Sequence, residues 1–269
     1  MLHRAQREPC QLCGSKEHPW AGPGEAPKRT WGGNAKGSTD WFDAKATELG
    51  VKDGDIARYD DSAGIPFDDI AATRPDLILG LSSGVSKEDY DKLSKIAPVV
   101  PYTVAPWGTP WQDQLEAIGQ ALGRPTQAAA LEAATTKTIA DAVAANPQLK
   151  GKSAAWAWFS PTDLSTIGLY TTADLRPQML REFGLVDSPT VVELSKADPS
   201  AFSVNLSAEK ASTLDAYLVV FYAAEGTQTD DIMGNALLSQ IPALRKKQFV
   251  ASADNAIALS MSLPSPLSV

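Results

Sequence analysis

The chain has 269 residues, of which 43% are hydrophobic and 21% charged, the composition of a water-soluble globular protein long enough for one large or two modest cores. Its formal charge of -8 argues against nucleic acid or an anionic membrane surface as the main partner, since both demand clustered Lys and Arg. No apolar run approaches the ~20 residues that a membrane span needs.

In chain order, residues 1–30 are polar and rich in Pro and Gly, which predicts an irregular tail without the basic start and apolar core of a secretory signal. Cys10 and Cys13 stand at the two-residue spacing of a zinc knuckle or redox pair, with His3 and His18 flanking them. Against metal, zinc would need all four side chains folded around it in a segment with no other structure. A flexible tail, or a start read from a neighbouring frame, is the competing expectation.

From residue 65 onward the pattern alternates. Apolar runs predict strands at 77–81, 98–104, 153–159, 190–194, 216–223 and 248–252. Helical periodicity predicts helices at 87–96, 110–122, 174–183 and 235–246. Alternation of this kind predicts an α/β fold with parallel sheets covered by helices on both faces. Between the two groups of strands, the Ala-rich stretch 126–146 holds neither Gly nor Pro and predicts one helix of about 30 Å at ~1.5 Å per residue.

Gly80-Leu81-Ser82-Ser83-Gly84 is a G-x-S-x-G between a predicted strand and a predicted helix, the setting of a hydrolase nucleophile elbow. That chemistry needs a histidine later in the chain to take the serine proton. Only His3 and His18 exist, and both precede it. The glycines are better read as letting the backbone turn tightly at the end of a strand. Neither a phosphate loop nor a G-x-G-x-x-G fingerprint is present, so the chain is predicted not to be an enzyme.

Four segments carry a resemblance. Ile65-Pro66-Phe67-Asp68-Asp69-Ile70 runs through Arg74-Pro75-Asp76 into Leu77-Ile78-Leu79-Gly80. Next come Tyr90-Asp91-Lys92-Leu93-Ser94-Lys95-Ile96-Ala97-Pro98-Val99-Val100, Trp111 through Gly119-Gln120-Ala121-Leu122-Gly123-Arg124, and Leu206-Ser207-Ala208-Glu209 through Leu214-Asp215-Ala216. In order and spacing these resemble the substrate-binding proteins of iron-siderophore and cobalamin ABC importers, over roughly residues 31–269. The resemblance implies a class III periplasmic-binding-protein-like fold: an N-terminal α/β lobe at 31–124, a connecting helix at 125–147 and a C-terminal α/β lobe at 148–269, with ligand in the cleft between them. Family members normally carry a lipoprotein signal and a first strand and helix ahead of the Trp31 region, which the resemblance makes absent here, so the first lobe is expected to be incomplete. Members also continue past Pro264-Ser265-Pro266-Leu267-Ser268 into a last helix.

Ligands of open α/β sheets sit beyond the carboxyl ends of the strands. In a two-lobed binder that rule selects Ser82, Ser83 and Trp107 in the first lobe, and Trp158, Phe159, Tyr170, Arg176 and Tyr222 in the second. Trp31 joins them by resemblance. Aromatic rings and an arginine suit a large ligand with π faces and anionic oxygens, such as a ferric catecholate, a citrate-type siderophore or haem. Bland alternatives stand beside several of these. Trp156 and Trp158 alternate along one strand, so one of them must face a core. Trp111 begins a helix whose apolar partners Leu115, Ile118 and Leu122 favour packing, and Arg176 can simply cap a helix or pair with Asp174.

The resemblance further places permease-docking acids at Asp68 and Glu209, which are equally first-turn acids of their helices. With no histidine after residue 18, capture of free zinc or manganese is disfavoured, whereas a chelated metal brings its own ligands. The resulting expectation is an extracytoplasmic, monomeric solute-binding component of an ABC importer, without cofactor or resident metal. It captures a ferric siderophore and delivers it to membrane permease subunits. Haem or cobalamin is the alternative ligand. A serine hydrolase and a truncated, non-binding fragment are the alternatives of other classes.

Overall fold

The computed structural model describes residues 10–11, 39–52, 55–57, 64–160, 163–222, 229–252, 260 and 265–268. The chain divides into two compact units, Met1–Ala130 and Leu131–Val269.

In the first unit, a parallel three-stranded sheet has the order β1 (Cys10–Gln11), β2 (Ile78–Gly80) and β3 (Val99–Pro101). The pairing of Cys10 with Ile78 places a short strand inside the predicted tail, where the polar sequence gives no apolar run to reveal it. α1 (Asp40–Glu48) is capped by Thr39, whose side chain accepts from the Phe42 amide. α2 (Phe67–Thr73) carries Asp68 and Asp69 in its first turn, where negative charge meets the positive end of the helix dipole. It stops at Arg74, which takes the left-handed conformation at φ 51°, and Pro75 then turns the chain toward β2. α3 (Lys87–Leu93) starts from Ser86, whose hydroxyl accepts from the Asp89 amide. Ile70, Ile78, Val85, Leu93 and Ala97 are buried together as the core beneath these elements. In α4 (Trp111–Ala121), Gly119 lets the helix approach Ala128 so closely that a Cβ at position 119 would lie 2.5 Å from the Ala128 methyl.

The predicted long helix is α5 (Pro125–Ala145), and the division between the units falls within it. The second unit is built on a six-stranded sheet containing β4 (Ser153–Trp158), β5 (Thr166–Tyr170), β6 (Val186–Asp187), β7 (Ser203–Ser207), β8 (Leu218–Tyr222) and β9 (Phe249–Ser252). Its main order is β7-β5-β4-β8-β9, with β6 paired to the start of β4. β4, β6, β8 and β9 run parallel, but β5 is antiparallel to both β4 and β7. The sheet is therefore mixed rather than wholly parallel. β7 is a short, half-polar strand with Asn205 at its centre, and in β5 Gly168 interrupts the apolar residues, so neither stands out as a strand in the sequence.

Alternation along β4 and β8 separates two faces. Ala155, Ala157, Val219 and Phe221 turn into a core shared with Ile167, Leu169 and Leu206. Trp156, Trp158 and Tyr222 belong to the opposite set.

Two other predicted elements differ. Residues 190–194, predicted as a strand from Thr190, Val191 and Val192, lie in α7 (Pro189–Ser195). Ser188 caps that helix by accepting from the Val191 amide, and Pro189 is suited to its first position. The predicted helix 235–246 is broken into a 3-10 turn, Leu238–Gln240, and the short α9 (Pro242–Arg245), because Pro242 has no amide to continue the ladder. α6 (Leu175–Glu182) and α8 (Thr229–Gly234) complete the unit.

Candidate functional site

Beyond β2 in the first unit, both predicted serines are turned inward. Ser82 is buried and donates to Gln114 Oε1 at 2.7 Å, while Gln114 Nε2 donates to the Thr109 carbonyl at 2.7 Å. Ser83 donates to the Gly80 carbonyl at 2.6 Å and accepts from the Val85 amide. Ser82 thus faces an amide, which cannot take its proton, and no histidine lies among the described residues.

These serines instead hold the loop on which Trp107 rests. The Trp107 amide donates to the Ser83 carbonyl at 3.2 Å, and the indole covers Gly84 so closely that a Cβ there would sit 2.2 Å from Trp107 Cη2. Trp107 takes φ 54°, a left-handed conformation that is costly for a bulky residue and is kept only where surroundings impose it. It is half-buried, whereas Trp111 is packed into the interior.

The second unit brings three of the charged and aromatic candidates, Tyr170, Arg176 and Tyr222, into one cluster with Asp174. Tyr170 ends β5, Tyr222 ends β8, and Arg176 is the second residue of α6, two residues after the cap, Asp174. Asp174 accepts from the Arg176 amide at 2.8 Å, the bond that starts the helix. Arg176 Nη1 donates to both carboxylate oxygens, at 3.1 and 2.9 Å, and Nε donates to the Tyr222 hydroxyl at 2.8 Å. The guanidinium carbon lies 3.8 Å from the centre of the Tyr170 ring, a cation–π stack. Arg176 is therefore held on three sides.

Burial decides what remains available. The Asp174 side chain is 1% exposed and that of Arg176 is 18% exposed, so the arginine, not the acid, reaches solvent. Burial pushes the Asp174 carboxyl above its ordinary range, against the pull of Arg176. For Arg176 burial works against the charge, but Asp174 together with Tyr170 and Tyr222 outweighs it and keeps the guanidinium protonated.

Trp158 and Phe159 part company. Trp158 is half-buried and lies over Gly168 of β5, where a Cβ would come within 2.0 Å of the indole. Phe159 packs edge-on against Phe221 at 5.3 Å in the core. Trp156, which the alternation left open, is also buried and packs against Tyr222 with the ring centres 5.7 Å apart and the planes tilted by 53°. Its indole Nε1 has no hydrogen-bond partner among the described residues. Trp31 lies outside the described residues. Asp68 in the first turn of α2 and Glu209 in the 3-10 turn Ala208–Thr213 are both exposed, one in each unit. No group of acids, histidines or cysteines among the described residues is arranged to hold a metal ion. No helix among them is long and apolar enough to cross a membrane.

Residues 31–256 match the model of a periplasmic binding protein family. The chain belongs to that family. It is similar to the ferric enterobactin-binding periplasmic protein FepB of Escherichia coli, with 29% identity over 191 residues, 68% of this chain. The matched region spans 58% of the length of that curated relative. Among solved structures, it is similar to Streptococcus pneumoniae PiaA in complex with ferrichrome, at 33% identity and a TM-score of 0.77, over 87% of this chain and 77% of that one. A periplasmic solute binding protein from Mycobacterium smegmatis shares the fold at 24% identity and a TM-score of 0.68, over 86% of this chain and 75% of that one. The α/β architecture of this family member is thus that of periplasmic binding proteins.

Proposed function

We propose that the chain is the solute-binding component of an ABC importer, acting outside the cytoplasmic membrane, and that it captures a ferric siderophore. The observation that carries this reading is the arginine held at the strand ends of the second unit between Tyr170, Tyr222 and Asp174, with the half-buried Trp158 on the same unit. A partly exposed guanidinium flanked by aromatic rings donates hydrogen bonds to chelating oxygens and offers flat apolar area to the ligand body. The likeness to PiaA in complex with ferrichrome and to an enterobactin-binding protein supports the same ligand class.

Within this reading, Arg176 and Trp158 contact the ligand, and Tyr170 and Tyr222 position the arginine. Trp107 is proposed as a contact on the strength of the sequence reading alone. Ser82, Ser83 and Phe159 serve packing and loop geometry, as their buried partners indicate. Asp68 and Glu209 are proposed to meet the permease, by resemblance and by their exposure.

The test is tryptophan-fluorescence titration of the purified chain with ferric siderophores, haem, cobalamin and free metal ions, with circular dichroism to establish folding. Saturable quenching by a ferric siderophore and by none of the others is the expected result. A folded protein that ignores every ferric siderophore contradicts the proposal.

A further inference from the structure

The arginine of the second unit is not a bare cation. Both Asp174 oxygens accept from Arg176 Nη1, the arrangement of an ionised carboxylate, and Oδ1 also accepts from the α6 amide it caps. Arg181, the other arginine of α6, is likewise matched, donating to both oxygens of Asp187 at 3.0 and 2.9 Å. The helix therefore presents two guanidinium groups and no uncompensated positive charge from either. Around them the whole chain carries a formal charge of -8, whose field repels anions.

We propose that Asp174 is a positioning residue that sets the charge selectivity of the site. It cancels the charge of Arg176 while leaving its plane fixed, so that the site takes a ferric chelate without net charge and disfavours a polyanionic one. The inference rests on the siderophore reading given above.

Chelate chemistry divides along this line. Three hydroxamate monoanions around Fe(III) leave no net charge, yet their oxygens still accept hydrogen bonds. Three catecholate dianions leave a triply negative complex. Such a complex favours uncompensated Arg or Lys, because attraction between separated charges falls only slowly inside a partly desolvated site. A paired arginine, stacked on Tyr170 and tethered to Tyr222, retains the flat face and the donors but not the net charge. The expectation from sequence that Arg176 marks a ligand with anionic oxygens is thereby narrowed to oxygens of an overall uncharged complex.

The experiment measures dissociation constants for ferrichrome and ferric enterobactin with wild type, Asp174→Asn and Asp174→Glu, at low and high salt. Wild type is expected to prefer ferrichrome. Asp174→Asn is expected to move the ratio at least tenfold toward ferric enterobactin, and Asp174→Glu to keep the wild-type order. A loss of affinity for both ligands in equal proportion would mark a structural role alone and overturn the proposal. So would a wild type that prefers ferric enterobactin, and in both cases the siderophore reading survives. Binding of neither ligand by folded wild type defeats the two together. Should Asp174→Asn fail to fold, the salt dependence of wild type decides. Affinity for ferric enterobactin that falls steeply with salt reveals uncompensated positive charge and overturns the proposal, whereas a flat or rising dependence supports it.

Discussion

Trp107 shows how a single residue can carry a constraint that composition does not display. Its positive φ, its amide bond to Ser83 and the missing side chain at Gly84 together hold a half-buried indole on the β2 loop. Trp107→Ala is expected to weaken siderophore binding at least tenfold with the fold intact by circular dichroism. An unchanged dissociation constant removes the ring from the site. Trp156 poses the opposite case. A buried N–H without a partner costs roughly 1–3 kcal/mol, which Trp156→Phe would recover while leaving a small cavity. The two effects are expected to offset, with a net change under about 1 kcal/mol in urea denaturation. A loss well above about 2 kcal/mol would mean that Nε1 is hydrogen-bonded in solution.

At the scale of elements, α6 joins stability to the site, since one carboxylate both caps the helix and holds the arginine. The folded state raises the Asp174 pKa, chiefly through burial, so above the ordinary carboxylate value the folded chain binds a proton that the unfolded chain has released. The contribution of Asp174 to stability is thus largest at low pH and falls as pH rises from about 4 toward the folded pKa. Wild type is expected to lose stability relative to Asp174→Asn over that window, measured by thermal unfolding at a series of pH values. The reverse slope would show that the pull of Arg176 outweighs burial. Removal of the group altogether, in Asp174→Ala, leaves a largely buried guanidinium unpaired and is expected to cost about 3–5 kcal/mol.

The same scale shows what could be read in advance. Pro75 marked the joint between α2 and β2, and the Ala-rich run marked α5, because each is a local backbone preference. The site was legible in part. Tyr170, Arg176 and Tyr222 stand near strand ends, and the Arg176–Asp174 pairing appeared as an alternative to a ligand role. What escaped was tertiary. β-branched Thr190, Val191 and Val192 suggested a strand, but Ser188 and Pro189 begin a helix there. β5 runs antiparallel to β4, and no periodicity reveals strand direction. Ser82, Ser83 and Phe159 satisfied the strand-end rule yet turn inward, because that rule fixes position along a strand and not which neighbours compete for a hydroxyl or a ring.

For the whole molecule, membership of the periplasmic binding protein family, the strand-end cluster and the acidic net charge support one account, in which a chelated metal arrives with its own ligands and the protein supplies shape, aromatic surface and a charge-matched arginine. The most direct test is a crystal structure of the chain soaked with ferrichrome. The account expects the iron, located by its anomalous signal, to lie beside the exposed part of Arg176 with chelate oxygens within hydrogen-bond distance of the guanidinium. Iron bound at full occupancy elsewhere on the chain, with Arg176 untouched, would contradict it.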